Sequence, residues 1–183
     1  MFYSTKTFPH SLGLSTAFRQ HRADSHCRFV HGYALQVKVV FAAMDLDARN
    51  WVVDFGGLKN FKQVLVDNFD HKLVVAEDDP ELPFFREMEK RGLAQLNVLP
   101  SVGCEMFAKF IFEAFQAMLA PYGFGPRVFV WSVEVSEHEG NSAIYNSISV
   151  QRSNSLEHAT YPRASDARKQ APSSSEAVRS ADG

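Results

Sequence analysis

Apolar and polar positions alternate over two long stretches of the chain, and this period of two predicts half-buried β-strands. The first stretch covers residues 33–43 and the second covers residues 127–136. We expect residues 50–55 to be extended as well and to pair with the first stretch as a hairpin. Shorter apolar runs predict further strands at residues 2–8, 94–99 and 144–145.

Apolar residues at three- and four-residue spacing predict amphipathic helices. One such helix begins near Leu58 and runs to Phe69. A second runs from Glu105 to Leu119 and ends where a segment rich in proline and glycine begins. A shorter helix is expected at residues 84–91, after an acidic loop. Together these elements predict an α+β fold, an antiparallel sheet with two helices on one face.

The composition changes near residue 147, after which serine, alanine and arginine dominate. A segment with so few large apolar residues cannot bury enough surface to offset the entropy lost on ordering. We therefore expect one folded domain over residues 1–146 and a disordered Ser/Ala/Arg-rich tail over residues 147–183.

Charge, hydropathy and cysteine content exclude several classes of function and partner. The formal net charge is -2 and the chain holds no long uninterrupted apolar run, so neither nucleic acid nor a membrane is expected as a partner. The first residues lack the pattern of a signal peptide. The two cysteines, Cys27 and Cys104, are expected to be free thiols in a reducing cytoplasm.

Polar chemistry is densest in residues 18–33, where three histidines and three arginines surround Cys27. A cysteine in such a segment fits an ordinary buried thiol as well as a reactive one. Histidines near a cysteine can also hold a metal ion, but their spacing here does not match a structural zinc finger.

Five short blocks follow one another in the chain with a distinctive order and spacing. They are CRFVHGY at 27–33, DFGGLK at 54–59, DHKL at 70–73, EMFAKFIF at 105–112 and VEVSE at 133–137. In this order the blocks resemble the motifs of the 6-pyruvoyl-tetrahydropterin and 6-carboxy-tetrahydropterin synthases, and they span nearly the whole predicted domain.

The resemblance implies a tunnelling fold, in which the sheets of several subunits join into a barrel with active sites between subunits. It implies a homo-oligomer, expected to be a hexamer. It also implies a pterin triphosphate substrate, 7,8-dihydroneopterin triphosphate, and elimination of triphosphate without a redox cofactor. The carboxy-forming branch, which feeds deazapurine (queuosine precursor) synthesis, is the expected one, although the sequence leaves pyruvoyl and carboxy products open.

By the same resemblance, Cys27 removes a proton from the substrate side chain, and Asp70 with His71 supplies the partner acid–base function. Glu137 and Glu105 are the expected substrate-binding residues. A thiolate near cations suits the first role, and a carboxylate is a natural two-point acceptor for the N–H groups of a pterin. The alternatives are a histidine placed at a helix C-terminus and a glutamate on a solvated strand end.

The implied zinc site departs from the family pattern. The family holds zinc with three histidines, and only His31 matches one of them, because Tyr33 and Phe18 stand at the other two positions. We expect His21 to be the best substitute ligand and zinc binding to be weak or absent. A second departure is the sequence Val-Gly-Cys-Glu at 102–105, where the family has Pro-Thr-Ser-Glu.

Two functions remain open at this point. One is an active synthase. The other is a pterin- or purine-binding paralogue that lost zinc-dependent catalysis and acts as a binding or assembly subunit. A related lyase acting on another pterin triphosphate is a third possibility.

Overall fold

Seven strands form one mixed sheet in the computed structural model, which describes residues 1–148. They are β1 (Phe2–Phe8), β2 (Leu14–Phe18), β3 (His31–Ala43), β4 (Lys72–Ala76), β5 (Leu96–Leu99), β6 (Val128–His138) and β7 (Asn141–Asn146). The order across the sheet is β5-β4-β2-β3-β6-β7, and β1 also pairs with β3. Strands β1, β2 and β6 run antiparallel to β3, and β7 runs antiparallel to β6.

The long strand β3 is paired along both of its edges. Its residues 31–35 pair with β2 and its residues 37–43 with β1, while β6 pairs with residues 36–43. Because β1 and β6 both bond to the same part of β3, they lie on opposite edges of it. Alternate residues of β3 are fully buried, as the period of two predicted.

Three helices cover the sheet: α1 (Lys59–Phe69), α2 (Leu82–Lys90) and α3 (Cys104–Leu119). The two long helices, α1 and α3, meet through Phe61 and Phe115, whose ring centres lie 4.7 Å apart in an edge-on arrangement. Phe61 also packs against Phe41 of β3 and Phe115 against Phe8 of β1. These aromatic contacts form the centre of the core and confirm the two predicted long helices on one face.

The short helix α2 builds a second, smaller apolar cluster. Phe85 of α2 packs with Leu73 and Val75 of β4. These two strand residues alternate with Val74 and Ala76, so α2 covers the face of β4 opposite to the main core.

The predicted hairpin between residues 33–43 and 50–55 is wrong, since residues 50–55 form no strand. The carboxylate of Asp47 accepts hydrogen bonds from the backbone N–H groups of Arg49 and Trp51, both at 2.9 Å. The guanidinium of Arg127 donates to backbone carbonyls of the same segment, including that of Val52 at 2.8 Å. The segment's polar backbone groups are thus paired with side chains instead of a neighbouring strand.

Strand β4 has no counterpart among the predicted elements, and it makes the sheet mixed. It runs parallel to both β2 and β5, within a sheet that was expected to be largely antiparallel. Four of its five residues are buried, so its sequence is a short apolar run without alternation. Such runs are typical of parallel strands that are covered on both faces.

Strand β2 also lies where the apolar pattern predicted no strand, and the boundaries of the other elements agree with the sequence to within a few residues. No helix within residues 1–148 is long and apolar enough to cross a membrane. The predicted tail begins at residue 147, and residues 149–183 of it lie outside the described part of the chain.

Candidate active site

One cavity of about 190 Å³ gathers four of the predicted site residues. Cys27, His31, Glu105 and Glu137 all line it, although they come from four different parts of the chain. The other lining residues are Phe18, Gln20, Cys104, Asn141, Ser142 and Ala143. A cavity of this size suits a small ring system, and its two carboxylates suit a ligand rich in N–H groups.

Cys27 reaches the cavity on a short loop that is anchored where it leaves β2. Cys27 lies in a single 3-10 turn, and its carbonyl accepts a hydrogen bond from the N–H of Gln20 at 2.8 Å. At the start of the loop, Arg19 donates two hydrogen bonds to Asp79, at 2.8 and 2.6 Å. Asp79 is only 4% exposed, and its hydrogen bonds to Arg19 are the main cause that lowers the pKa of its carboxyl.

Gln20 also joins this loop to the beginning of α3. Its side-chain amide donates to the carbonyl of Val102 at 3.1 Å. The next residue, Gly103, has a φ of +112°, a conformation that side chains rarely adopt. A Cβ on Gly103 would also overlap the Gln20 amide. The glycine therefore makes room for the amide that sets Cys27 against the helix carrying Cys104 and Glu105.

Two groups near the carboxylates are held in their neutral forms. Burial, the charges of Glu137 and Glu105, and a hydrogen bond to Glu137 raise the pKa of the Cys104 thiol to about 12. Burial, followed by the charge of Glu137, also raises the pKa of the Tyr33 phenol. Both groups are therefore hydrogen-bond donors at neutral pH.

A β-bulge at the end of β6 determines where Glu137 lies. Ser136 pairs with Ser142 and His138 pairs with Asn141, so two steps on β6 match one step on β7. Glu137 is the extra residue of the bulge. Bulges redirect a side chain and are common beside active sites. Here the bulge accompanies a carboxylate that lines the cavity.

Asp70 and His71 do not line this cavity. Nδ1 of His71 lies 2.7 Å from Oδ1 of Asp70, so the two side chains do pair. His71 has a φ of +54° directly after the C-cap of α1, where glycine is the usual residue because a side chain costs about 1–2 kcal/mol. His71 faces a separate groove of about 510 Å³, together with residues of β2 and β3 that include Ser15 and Gly32.

The residues present do not fit a three-histidine zinc site. Phe18 packs on His31 with ring centres 4.8 Å apart, and the edge of Tyr33 lies against the same imidazole. Nδ1 of His31 donates a hydrogen bond to the carbonyl of Phe29 at 2.8 Å. Nε2 is therefore the only nitrogen of this imidazole that keeps a lone pair for a metal ion. Within residues 1–148, no group of three histidine, cysteine or acidic residues is placed to hold a metal ion.

The structure does not bring His21 to His31. Its Nε2 lies 3.7 Å from a carboxylate oxygen of Asp78, and its Nδ1 lies 3.8 Å from one of Asp79. His21 therefore belongs to the ionic cluster at the base of the Cys27 loop and not to the cavity lining.

Sequence reasoning did not single out Gln20, Asn141 or Ser142 as site residues. No motif points to them, because their place in the cavity depends on the closure of the Cys27 loop and on the β6–β7 turn. The sequence Val-Gly-Cys-Glu at residues 102–105, which differs from the family pattern, could have pointed to the site because it contains both Gly103 and Cys104.

Comparison with known proteins shows what this chain is similar to in sequence and in fold. The model of the 6-pyruvoyl tetrahydropterin synthase family matches residues 10–147. A 6-carboxy-5,6,7,8-tetrahydropterin synthase of Rickettsia typhi is 38% identical over 66 residues, which is 34% of this chain. The match spans about half of that relative, 48% of its length. The enzyme of the same name from Aquifex aeolicus is 26% identical over 73% of this chain and 83% of its own.

Solved structures share the fold at lower identity. An uncharacterised protein of Wolinella succinogenes superimposes with a TM-score of 0.65 at 22% identity, covering 80% of this chain and 98% of its own. A 6-pyruvoyltetrahydropterin synthase of Plasmodium vivax gives a TM-score of 0.57 at 16% identity, over 79% and 98% of the two chains. These likenesses establish a common architecture.

Replacing Gly103 with alanine should destabilise the protein by about 1–3 kcal/mol, because the residue keeps a strained φ and the new Cβ displaces the Gln20 amide. Urea unfolding of Gly103→Ala, Gln20→Ala and the double variant measures both effects. The alanine at 103 should cost less when Gln20 is already shortened. A Gly103→Ala protein within 0.5 kcal/mol of wild type would contradict the close approach.

The purified protein should hold well below one zinc per chain after dialysis against a mild chelator, because two of three ligand positions carry Phe18 and Tyr33. Elemental analysis measures this. The double variant Phe18→His, Tyr33→His should gain zinc, because it restores three imidazoles around one point. Stoichiometric zinc in wild type would overturn the expectation, and its loss in His21→Ala would make His21 a ligand after all.

Proposed function

Because the chain belongs to the 6-pyruvoyl tetrahydropterin synthase family, we propose that it is a carbon–oxygen lyase of the 6-carboxy-tetrahydropterin synthase type. Its substrate in this proposal is 7,8-dihydroneopterin triphosphate, and triphosphate is eliminated. The observation that carries the proposal is the shared cavity of Cys27, Glu105 and Glu137. Relatives named as 6-carboxy-tetrahydropterin synthases support the carboxy branch, which feeds deazapurine synthesis.

Recognition of the pterin ring falls to Glu137. An ionised carboxylate accepts two hydrogen bonds at once, and a pterin presents a ring N–H and an exocyclic amino group side by side. The neutral thiol of Cys104 already bonds to this carboxylate and so fixes its orientation. Glu105, in the first turn of α3, adds a second acceptor to the same cavity.

Proton removal falls to Cys27. In the elimination, a C–H bond of the substrate side chain breaks and its proton passes to the base. The electron pair of the C–H bond forms a carbon–carbon double bond as the bond between carbon and the triphosphate oxygen breaks, and the electrons of that second bond leave with the triphosphate. A thiolate is suited to the first task. The Asp70–His71 pair supplies the second acid–base group, with Asp70 orienting the imidazole through Nδ1.

This division of labour needs more than one copy of the chain. Cys27 and His71 line different depressions of the same subunit. A site that uses both is completed when the groove of one subunit meets the cavity of another. We therefore include in the proposal a homo-oligomer, a hexamer by resemblance, with active sites between subunits.

The second candidate function is a pterin- or purine-binding protein without zinc-dependent catalysis. The absence of a metal-ligand group within residues 1–148 favours it, because the polarising ion of the family is not provided for. The retained set of Cys27, Asp70, His71 and Glu137 favours catalysis instead. Incubation with 7,8-dihydroneopterin triphosphate, with and without zinc, separates the two by the mass of the pterin product. Unchanged substrate that is nevertheless bound would identify a binding protein.

Glu137→Ala should weaken pterin binding by about 2–4 kcal/mol, because it removes a two-point charge-assisted contact. Cys27→Ala should keep the binding and lose turnover, because a general base acts mainly in the transition state. Calorimetric titration measures binding, and Glu139→Ala, an exposed glutamate two residues away, is the matched control.

Alkylation of the thiols checks the role of Cys27 independently. In wild type the reagent should modify Cys27 and spare Cys104, whose thiol is buried and protonated. A Cys27→Ala protein that unfolds, together with a wild type that resists alkylation, would identify Cys27 as a structural residue. Unchanged pterin affinity in Glu137→Ala would remove the binding assignment.

Light scattering should report an oligomer at micromolar concentration. Cys27→Ala and His71→Ala should each be inactive, and their mixture should regain about a quarter of the activity if each site takes one residue from each of two copies. A monomer would refute the assembly, and no recovery on mixing in a confirmed oligomer would place both residues in one subunit.

A further inference from the structure

A second cavity, far from the catalytic one, is lined by three lysines. It measures about 270 Å³ and lies between β1 and the beginning of α1. Lys6 comes from β1, and Lys59 and Lys62 from the first turns of α1. The floor is apolar and is formed by residues that include Phe8, Pro9, Leu12, Phe55 and Leu58. We refer to it as the lysine cavity.

None of the three ammonium groups has an acidic partner within residues 1–148. Lys6 is half-buried, and its Nζ lies over the face of the Phe8 ring, 5.8 Å from the ring centroid. No aspartate or glutamate lines the cavity. The acid before α1, Asp54, is engaged elsewhere, since it accepts from the N–H of Gly56 at 2.8 Å and lies near Arg49.

Three cations facing one small cavity repel each other, and the repulsion is relieved by an anion. Lys59 and Lys62 also stand at the end of α1 where the helix dipole is positive and acidic residues are favoured. The first turn of α1 contains no acid. Lys59 and Lys62 are exposed, so water screens part of this repulsion, and several negative charges that enter the cavity offset the rest.

Within residues 1–148 of one subunit, the catalytic cavity offers no cation to such a ligand, so any cation that meets the substrate's triphosphate comes from elsewhere. This cavity is lined by two carboxylates and by no lysine or arginine. In the sheet, Lys6 stands opposite Val39 of β3, and His31 lies eight residues away along the same strand. At 3.3 Å per residue this is roughly 25 Å, so a compact ligand does not reach both cavities of one subunit.

We propose that the lysine cavity binds the phosphoryl chain of a polyphosphorylated small molecule, at a site separate from the catalytic cavity. Several linked phosphoryl groups carry enough charge to engage all three lysines, which a single phosphate does not. The volume admits the chain itself, and the apolar floor, with the Phe55 ring at its edge, offers a surface for an attached ring. The proposal does not depend on the lyase reaction.

The test is calorimetric titration of the full chain with inorganic triphosphate in a buffer of low ionic strength. The variant Lys59→Ala, Lys62→Ala should bind at least tenfold more weakly, since each partly exposed contact contributes about fivefold. The matched control is Lys90→Ala, Arg91→Ala, which removes two exposed cations from α2 and should change the affinity less than twofold. Lys6→Gln tests the third lysine.

Four comparisons decide the outcome. Inorganic phosphate should bind more weakly than triphosphate, and equal affinities would overturn the assignment to a chain of phosphoryl groups. Glu137→Ala should leave triphosphate binding unchanged, so a failure of the proposed lyase function does not affect this result. No binding at millimolar triphosphate, or an equal loss in the control variant, would overturn the site. If a nucleoside triphosphate binds more tightly than inorganic triphosphate, the phosphoryl chain that the cavity binds belongs to an organic molecule.

Discussion

The double pairing of β3 is the constraint on which the rest of the structure depends. Hydrogen bonds on both edges fix its register, and a register fixed in this way decides which side chains face the helices. The buried face of β3 carries Leu35, Val37, Val39 and Phe41 beneath α1 and α3. The same alternation continues to Tyr33 and His31 at the N-terminal end of the strand. The site is thus the end of the core face, where apolar residues give way to polar ones.

This position explains the electrostatics of the cavity. One side of it is formed by core residues such as Phe18, which is 1% exposed, while Glu105 and Asn141 on the other side are exposed. Burial and the negative charges of Glu137 and Glu105 raise the pKa of the Cys104 thiol to about 12. The result is a small cavity with two acceptors and neutral donors, complementary to an uncharged ring bearing N–H groups. Within residues 1–148, no lysine or arginine lines this cavity, whereas three lysines line the lysine cavity.

The sequence predicted those parts of the fold that follow from a single periodic pattern. Strand β3 and helices α1 and α3 each bury one face and expose the other, which leaves a clear period. Residues 50–55 looked extended by the same criterion, but Asp47 and Arg127 satisfy that backbone from outside the segment. Strand β4 is buried on both faces and carries no alternation, so no periodic pattern marks it in the sequence.

The candidate site was likewise predicted only in part. The motif blocks predicted that Cys27, His31, Glu105 and Glu137 belong together, and one cavity contains all four. They could not show that the Asp70–His71 pair lies apart from this cavity, with His71 lining a different groove, because a motif gives the order of residues along the chain and not their distances in space. The roles of Gln20 and Gly103 were not predicted, because they depend on close packing between the Cys27 loop and the beginning of α3.

The replacement of metal ligands has a consequence for any chemistry at this site. Phe18 and Tyr33 put two aromatic rings around His31, and the ring of His138 lies 6.0 Å beyond Tyr33. These aromatic contacts stabilise the end of the sheet. A metal ion could do the same by coordination, but unlike an ion the rings supply no Lewis acid. Polarisation of a bound hydroxyl then depends on neutral donors. Burial and then the charge of Glu137 raise the pKa of the Tyr33 phenol, but this side chain lines the groove of His71 and not the cavity of Glu137. A protonated donor that does line the cavity is the Cys104 thiol, and a hydrogen bond from a thiol stabilises developing charge less than a divalent ion does.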